Sequence, residues 1–197
     1  ILGLGDQGYG GMGIPIGKLA VYTAAGGVCP FQTCPIALDV GTNRADLLND
    51  PMYLGIKMHR LTGKPYMDLV GKFVKAVKKV WPKAMVQWED LTKDNALTVS
   101  EHFKDEICSF NDDVHGTGAV TLAGVLTACR KMGKKLSEQR IVVSGAGAGG
   151  AGVARALKEG MVREGLSPKE AQARVLVLDS TGLLYEGREG MEPYKLE

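Results

Sequence analysis

Residues 140–160 read RIVVSGAGAGGAGVARALKEG, and this stretch decides the fold. RIVVS predicts a short strand, and the residues after the glycines keep the apolar spacing of a helix. Gly145, Gly147 and Gly150 have the spacing G-x-G-x-x-G at the junction between the two. There, backbone N–H groups at the start of the helix can bind a pyrophosphate. The stretch therefore predicts a dinucleotide-binding unit, with a purely structural glycine-rich packing turn as the alternative.

The next predicted strand supplies the acid that such a unit needs. RVLVLDS at 174–180 ends in Asp179, which can accept hydrogen bonds from a ribose hydroxyl. Asp179 lies further from the glycines than the usual ~20 residues, and a short capped helix predicted at 167–170 accounts for the extra length. The residues predicted to contact the cofactor are Gly145, Ala146, Gly147, Gly150, Asp179, Ser180 and Lys195.

A second glycine cluster opens the chain as ILGLGDQGYGGMGIPIGK at 1–18. It repeats the fingerprint spacing, but further glycines and Pro15 exclude a regular helix that starts at its third glycine. This cluster is therefore not expected to hold a nucleotide. We predict a tight loop that carries Lys18 into a pocket, where a desolvated lysine can act as a base. The alternative is a surface lysine at a helix start.

Two predicted strands each end in a pair of acids, within QWED at 87–90 and FNDD at 110–113. The carboxyl ends of parallel strands line the ligand crevice of an α/β sheet, and carboxylates that meet there repel unless a cation compensates. Oxygen ligands of this kind suit Mg²⁺ or Mn²⁺. The alternative is helix capping, with Asp113 as the cap. The four acids are Glu89, Asp90, Asp112 and Asp113.

Composition and order indicate the architecture. The chain has 197 residues, 45% of them hydrophobic, and a net charge of +2, which gives no reason to expect nucleic acid or a membrane as partner. Strands and helices alternate, which predicts an α/β fold. We expect a parallel-sheet catalytic portion over 1–112 and a Rossmann-like dinucleotide-binding domain over 113–197, both incomplete. Ile1 lies within a predicted strand and no closing element follows residue 197, so we expect a fragment.

Two further expectations concern the core. The four cysteines lack metal-ligand spacing, which favours buried free thiols in a cytoplasmic protein, with an organellar matrix left open. The segment 65–81 predicts a helix with one apolar stripe. The members of that stripe are Tyr66, Leu69, Val70, Phe73, Val77 and Val80.

Together, these motifs are similar to one enzyme family. GLGDQGYGGMGIPIGK, LDVGTN, QWED, ICSFNDDVHGTGAV and VVSGAGAGGAGVA, taken in order, resemble malic enzyme, the metal-dependent decarboxylating malate dehydrogenase. The resemblance implies oxidation of L-malate to pyruvate and CO₂ with reduction of NAD⁺ or NADP⁺. It also implies a homodimer or homotetramer.

The resemblance assigns a role to each site residue. Lys18 matches the general base and Asp112 the acid that partners it, whereas Glu89, Asp90 and Asp113 match the ligands of Mg²⁺ or Mn²⁺. The tyrosine acid and the malate-binding arginine of the family have no counterpart in these residues. We therefore expect this stretch alone to be inactive.

The cofactor and the reaction have alternatives. Ser180 and Lys195 stand where NADP-dependent members carry a serine and a lysine, which favours NADP⁺ over NAD⁺. Asp179 would repel a 2′-phosphate unless a cation compensates. A malolactic-type enzyme that releases lactate is a second reading of the function. A non-catalytic nucleotide-binding fragment is a third, and five clustered charges argue against it.

Overall fold

The structure, a computed structural model, describes residues 2–5, 13–192 and 195, with the backbone alone at 2–5, 93 and 94. The chain divides into two compact units, Ile1–Asn111 and Asp112–Glu197. Among the described residues, no helix is both long enough and apolar enough to span a bilayer.

The first unit is built on a four-stranded parallel sheet. Its strands are β1 (Leu2–Gly5), β2 (Cys34–Ala37), β3 (Val86–Trp88) and β4 (Ser109–Asn111). They lie in the order β2-β1-β3-β4, with Leu4 opposite Trp88 and Trp88 opposite Asn111. Because β1 lies between β2 and β3, the direction of the connections reverses between β1 and β3. That reversal is the point where open α/β sheets bind ligands.

Helices connect these strands, as the alternating pattern predicts. They are α1 (Gly13–Gly26), α2 (Ala45–Asn49), α3 (Gly63–Val80) and α4 (Lys93–Phe103), with a 3₁₀ turn at Pro30–Gln32. Trp88 of β3 is fully buried, and its ring centroid lies 6.5 Å from that of Phe73 and 6.4 Å from that of Phe103. These aromatic contacts place the core between β3 and its neighbouring helices.

The second unit contains the predicted strand–helix–strand motif. It begins with a π-helical turn (Asp112–Gly116) and continues with α5 (Thr117–Lys131), a 3₁₀ turn (Leu136–Glu138), β5 (Ile141–Ser144), α6 (Ala148–Arg163), α7 (Pro168–Gln172), β6 (Val175–Asp179) and β7 (Gly182–Leu183). β5 and β6 pair in parallel, and β7 returns antiparallel to β6. A buried cluster of Leu136, Leu157, Met161 and Ala171 forms the centre of its core.

The expectation that the cysteines are buried is wrong, and one member of the predicted apolar stripe is exposed. Only Cys129 is a buried thiol, since Cys29 and Cys108 are exposed and Cys34 is half-buried. Val80 is 60% exposed, because a helix that turns about 100° per residue directs residues 70, 74 and 77 to the sheet and residue 80 to the edge of that face.

Candidate active site

Lys18 lies on a helix and not in a loop, which corrects the sequence prediction. α1 begins at Gly13, and Pro15 falls in its first turn, where a missing N–H removes no intrahelical hydrogen bond. The Nζ atom of Lys18 lies 3.4 Å from Oε1 of Glu89, and the two side chains are 28% and 7% exposed. The helix thus directs a lysine to a nearly buried carboxylate within the first unit.

The pair lies at the reversal point of the sheet. α1 follows β1 in the chain, and Glu89 directly follows Trp88, the last residue of β3. β1 and β3 are neighbours, so the two groups come from the segments that follow the two strands flanking the reversal. The topology alone therefore marks this end of the sheet as the candidate ligand site.

Gln87 is a site residue that the sequence analysis missed. It is fully buried in β3, and its Nε2 donates to Oε2 of Glu89 at 2.5 Å and to the carbonyl of Trp88 at 3.1 Å. Residues two apart on a strand face the same side, which brings the amide to the carboxylate. A glutamine in an otherwise apolar strand was the signal that could have found it.

Asp90 has a backbone φ of 51°, in the left-handed region that residues other than glycine rarely adopt. Among the described residues it is the one non-glycine with positive φ. Aspartate and asparagine tolerate this conformation best, and such strain clusters at functional sites. The chain therefore turns sharply immediately after Glu89, and Asp90 is half-buried.

Asp112 and Asp113 directly follow Asn111, the last residue of β4, in the π-helical turn. A carboxylate oxygen of each lies within 4.8 Å of one from the other, and both side chains are half-buried. Asp113 does not cap α5: the N-cap position is Gly116, with no capping side chain. The π turn is the reason, because it separates Asp113 from the first residue of α5. Single π-helical turns occur frequently at functional sites.

The second glycine cluster forms the expected strand–loop–helix junction. β5 ends at Ser144, Gly145 has φ 116°, and Gly147 is the N-cap of α6. A Cβ on Gly150 would lie 1.9 Å from the carbonyl oxygen of Gly145, so only glycine fits there. In the first cluster, Gly3 and Gly5 belong to β1, whereas Gly8 lies outside the described residues.

Asp179 ends β6 and accepts a dense set of hydrogen bonds. Lys195 donates to Oδ2 at 2.8 Å, and Arg188 Nη2 lies 2.9 Å from both oxygens. Thr181 donates its backbone N–H and its hydroxyl to Oδ1 at 2.9 and 2.8 Å. The lysine, the Thr181 donors and the guanidinium hold the pKa of Asp179 well below its usual range. Arg188 was not predicted from the sequence, although an arginine soon after a strand-terminal acid was a usable signal.

The predicted cation Lys195 is itself paired twice. Its Nζ lies 2.8 Å from Asp179 and 2.5 Å from Oε2 of Glu192, and its side chain is 9% exposed. Ser180, next to Asp179, is exposed. Two carboxylates therefore balance the charges of Lys195 and Arg188.

Comparison with family models matches both units. Residues 1–104 match the N-terminal domain of malic enzyme, and residues 114–197 match the malic enzyme NAD-binding domain.

Curated relatives have the same family name. The chain is 52% identical over 191 residues to NAD-dependent malic enzyme 2 of Photobacterium profundum, covering 97% of this chain and 34% of that protein. It is 54% identical over 187 residues to the NAD-dependent malic enzyme of Aliivibrio fischeri, covering 95% of this chain and 33% of that protein. The chain thus spans about a third of the length of these relatives.

Solved structures share the fold. The malic enzyme of Entamoeba histolytica matches with a TM-score of 0.66 at 22% identity, over 99% of this chain and 37% of that one. The NAD-dependent malic enzyme of Thermotoga maritima matches with a TM-score of 0.57 at 20% identity, over 99% of this chain and 45% of that one. Together with the family models and the curated relatives, these matches show that the chain belongs to the malic enzyme family.

Proposed function

We propose that this chain contributes the catalytic base, the cation ligands and the dinucleotide loop of an enzyme that oxidatively decarboxylates L-malate to pyruvate and CO₂. The observation that carries the proposal is the 3.4 Å pair of Lys18 and Glu89 at the reversal point of the sheet. The carboxylate of Glu89 holds the Lys18 side chain at a defined position, and a lysine held in this way can act as a base once its amine is deprotonated. Curated relatives are named NAD-dependent malic enzymes.

Lys18 is the proposed base. In its neutral form the amine would accept the proton of the C2 hydroxyl of malate. A dinucleotide held by Gly145, Gly147 and Asp179 would supply the acceptor for the C2 hydride. Glu89 fixes the amine at 3.4 Å, and Gln87 fixes Glu89 through its amide. Asp112 is the acid that the family resemblance assigns as the partner of Lys18. Glu89 and Gln87 orient the amine before substrate arrives, which lowers the entropic part of the barrier.

The carboxylates have the chemistry of a site for Mg²⁺ or Mn²⁺. Glu89 and Asp90 are the two residues after the end of β3. Asp113 is the second residue after the end of β4, the strand hydrogen-bonded to β3. Carboxylate oxygens that approach each other, as those of Asp112 and Asp113 do, fit a hard divalent cation. A bound cation would supply Lewis acidity toward the substrate oxygens. We propose Glu89, Asp90 and Asp113 as the residues that hold it.

For the cofactor we propose NAD⁺, replacing the NADP⁺ preference drawn from Ser180 and Lys195. Lys195 is paired with both Asp179 and Glu192, so its charge is already balanced by carboxylates. A 2′-phosphate would add negative charge beside these two acids, whereas a neutral ribose hydroxyl can donate to Asp179. The curated relatives named above are NAD-dependent.

The test is an activity measurement on a full-length chimera. The 197 residues replace the matching third of the Aliivibrio fischeri relative, and NADH formation is followed with L-malate and Mn²⁺. We expect NADH and pyruvate in equal amounts. Lys18→Ala should lower kcat by about 10²- to 10⁴-fold, the usual contribution of a general base.

Matched controls make the result interpretable. Lys64→Ala removes an exposed lysine of α3, with a side chain 84% exposed, and should leave kcat unchanged. Lactate in place of pyruvate would identify the malolactic reaction. If the folded chimera binds NAD⁺ but makes neither product, the chain is a nucleotide-binding unit and the catalytic proposal fails.

A further inference from the structure

The cofactor helix α6 and the acidic turn Asp112–Gly116 pack backbone to backbone inside the second unit. The contact uses glycines on α6. A Cβ on Gly152 would lie 2.2 Å from the carbonyl oxygen of Val114 and 2.8 Å from its carbonyl carbon. A Cβ on Gly149 would lie 3.5 Å from the carbonyl oxygen of Asp113, an ordinary contact. No side chain fits at Gly152 unless one of the two segments moves.

A glycine at the start of α5 also makes a close backbone contact with α6. A Cβ on Gly118, in the first turn of α5, would lie 2.7 Å from the carbonyl oxygen of Gly152. Both Gly118 and Gly152 are buried. The start of α5 and the turn that precedes it therefore both pack against the second turn of α6.

If the contact were forced apart, the turn would move and α6 would stay. Leu157 and Met161 of α6 belong to the buried core cluster and are at most 1% exposed. The acidic turn has five residues in π-helical geometry, a rare conformation found mostly as single turns. Its position therefore depends on what it packs against.

We propose that Gly152 is a positioning residue: its lack of a side chain lets α6 hold the Asp112–Gly116 turn, and so sets where Asp112 and Asp113 present their carboxylates. This inference rests on the proposed function, in which Asp113 is a cation ligand and Asp112 the partner of the base. It adds that the helix whose first residues carry the dinucleotide loop also supports the cation-binding turn.

The experiment compares three glycine-to-alanine variants of the 197-residue chain, which differ in how closely the added Cβ approaches its neighbours. Gly124 lies on α5, where an added Cβ would meet no other atom within 4 Å, Gly149 has an ordinary contact, and Gly152 has a forbidden one. Mn²⁺ and NAD⁺ affinities are measured by calorimetric titration, and the fold is checked by circular dichroism. Gly124→Ala should leave both affinities unchanged, and Gly149→Ala should leave the Mn²⁺ affinity unchanged. Gly152→Ala should weaken Mn²⁺ binding about 10- to 100-fold, as other supports of metal ligands do, with NAD⁺ binding unchanged.

A second pair of variants applies if Gly152→Ala does not fold. Gly149→Val adds methyl groups toward the carbonyl of Asp113, whereas Gly149→Ala does not. Weakened Mn²⁺ binding in Gly149→Val alone supports the proposal. Unchanged Mn²⁺ affinity in folded Gly152→Ala overturns it, as does an equal loss of NAD⁺ affinity, which would mean that α6 itself had moved.

Hydrogen exchange separates failure of this inference from failure of the proposed function. If the wild-type chain binds no Mn²⁺, the cation site is wrong. The positioning role is then judged without metal, from the amides of residues 112–117. Faster exchange of these amides in Gly152→Ala than in Gly124→Ala supports the role, and equal exchange overturns it.

Discussion

At the scale of single residues, Gln87 allows a sharp prediction, because its amide is fully buried beside the carboxylate of Glu89. Gln87→Leu removes the donor to Glu89 while it keeps an apolar side chain of similar size. We expect unfolding free energy to fall by about 1–3 kcal/mol, the cost of a buried acceptor left without its donor. Mn²⁺ affinity should fall about 10-fold, because Glu89, the proposed ligand, loses its hydrogen-bond donor.

Chemical denaturation and Mn²⁺ titration check this prediction together. Gln172→Leu, which changes an exposed glutamine at the end of α7, is the control and should alter neither quantity. Full Mn²⁺ affinity in Gln87→Leu would show that the amide serves the core alone.

Asp179 predicts a dependence of stability on pH. Lys195, the Thr181 donors and Arg188 hold the pKa of Asp179 below its unfolded value of 3.8. A group whose pKa is lower in the folded state stabilises the fold fully above the unfolded value. That stabilisation is lost as the pH falls below 3.8 toward the folded value.

Lys195→Ala tests this linkage. Removal of the lysine should raise the folded-state pKa of Asp179 toward the unfolded value, so the variant has less of this stabilisation to lose on acidification. Denaturation midpoints measured from neutral to acidic pH should therefore converge for the variant and wild type at the acid end. Lys169→Ala, an exposed lysine on α7, should run parallel to wild type. A gap that persists at the acid end would contradict the linkage.

The residues of the candidate site could be selected from the sequence, whereas the backbone conformation and the contacts around them could not be predicted. Lys18, Glu89 and Asp179 were selected from position relative to strands and glycines. Glu89 and Asp179 lie where a strand ends, and Lys18 lies near the start of the helix that follows β1. The conformation around Lys18 was not predictable, because glycines and Pro15 suit both a loop and a first helical turn. Gln87 was missed because a strand of three residues is too short to show which face is buried.

At the scale of elements, the cap of α7 is a clear case of local sequence setting local structure. Ser167 Oγ accepts from the backbone N–H of Glu170 at 3.3 Å, and Glu170 accepts from the backbone N–H of Ser167 at 2.9 Å. Ser167→Ala should lower the unfolding free energy by about 1 kcal/mol, the usual value of an N-cap. Ser180→Ala, at an exposed position, is the control, and equal denaturation midpoints for the two variants would contradict the role of the cap.

Prediction of elements succeeded where a pattern was long. α3 and α6 have several turns of apolar spacing, and the capping box and Pro168 mark the start of α7. The helices α2 and α4 and the π turn were not predicted from the sequence. A single π-helical turn is too short to produce a periodic signal in the sequence.

At the scale of the whole molecule, the dinucleotide should stabilise one unit directly. The proposed function has NAD⁺ bind the folded glycine loop and not the unfolded chain, so at 100 times its Kd it should add about 2.7 kcal/mol to the stability of the unit 112–197. Hydrogen exchange should slow for the core amides of β5, β6 and α6. Protection that is absent at saturating NAD⁺ would mean that this loop does not hold the cofactor.

The fold class was predictable and is confirmed by the family models and the structural neighbours. Alternation of strands and helices predicts parallel sheets, and the fingerprint predicts the Rossmann-like unit. The strand order β2-β1-β3-β4 was not predictable, because an apolar run carries no information about which strand lies beside it. The reversal between β1 and β3, at which the candidate site lies, could therefore be seen only in the structure.

The central place of β1 has a consequence for biosynthesis. β1 emerges from the ribosome early in this stretch, yet one of its neighbours, β3, ends only at Trp88. At about 5–20 residues per second, translation of the intervening chain takes roughly 4 to 16 seconds. During that interval the nascent glycine-rich strand has one edge unpaired. The cell must keep this edge from other polypeptides until its last partner has been made.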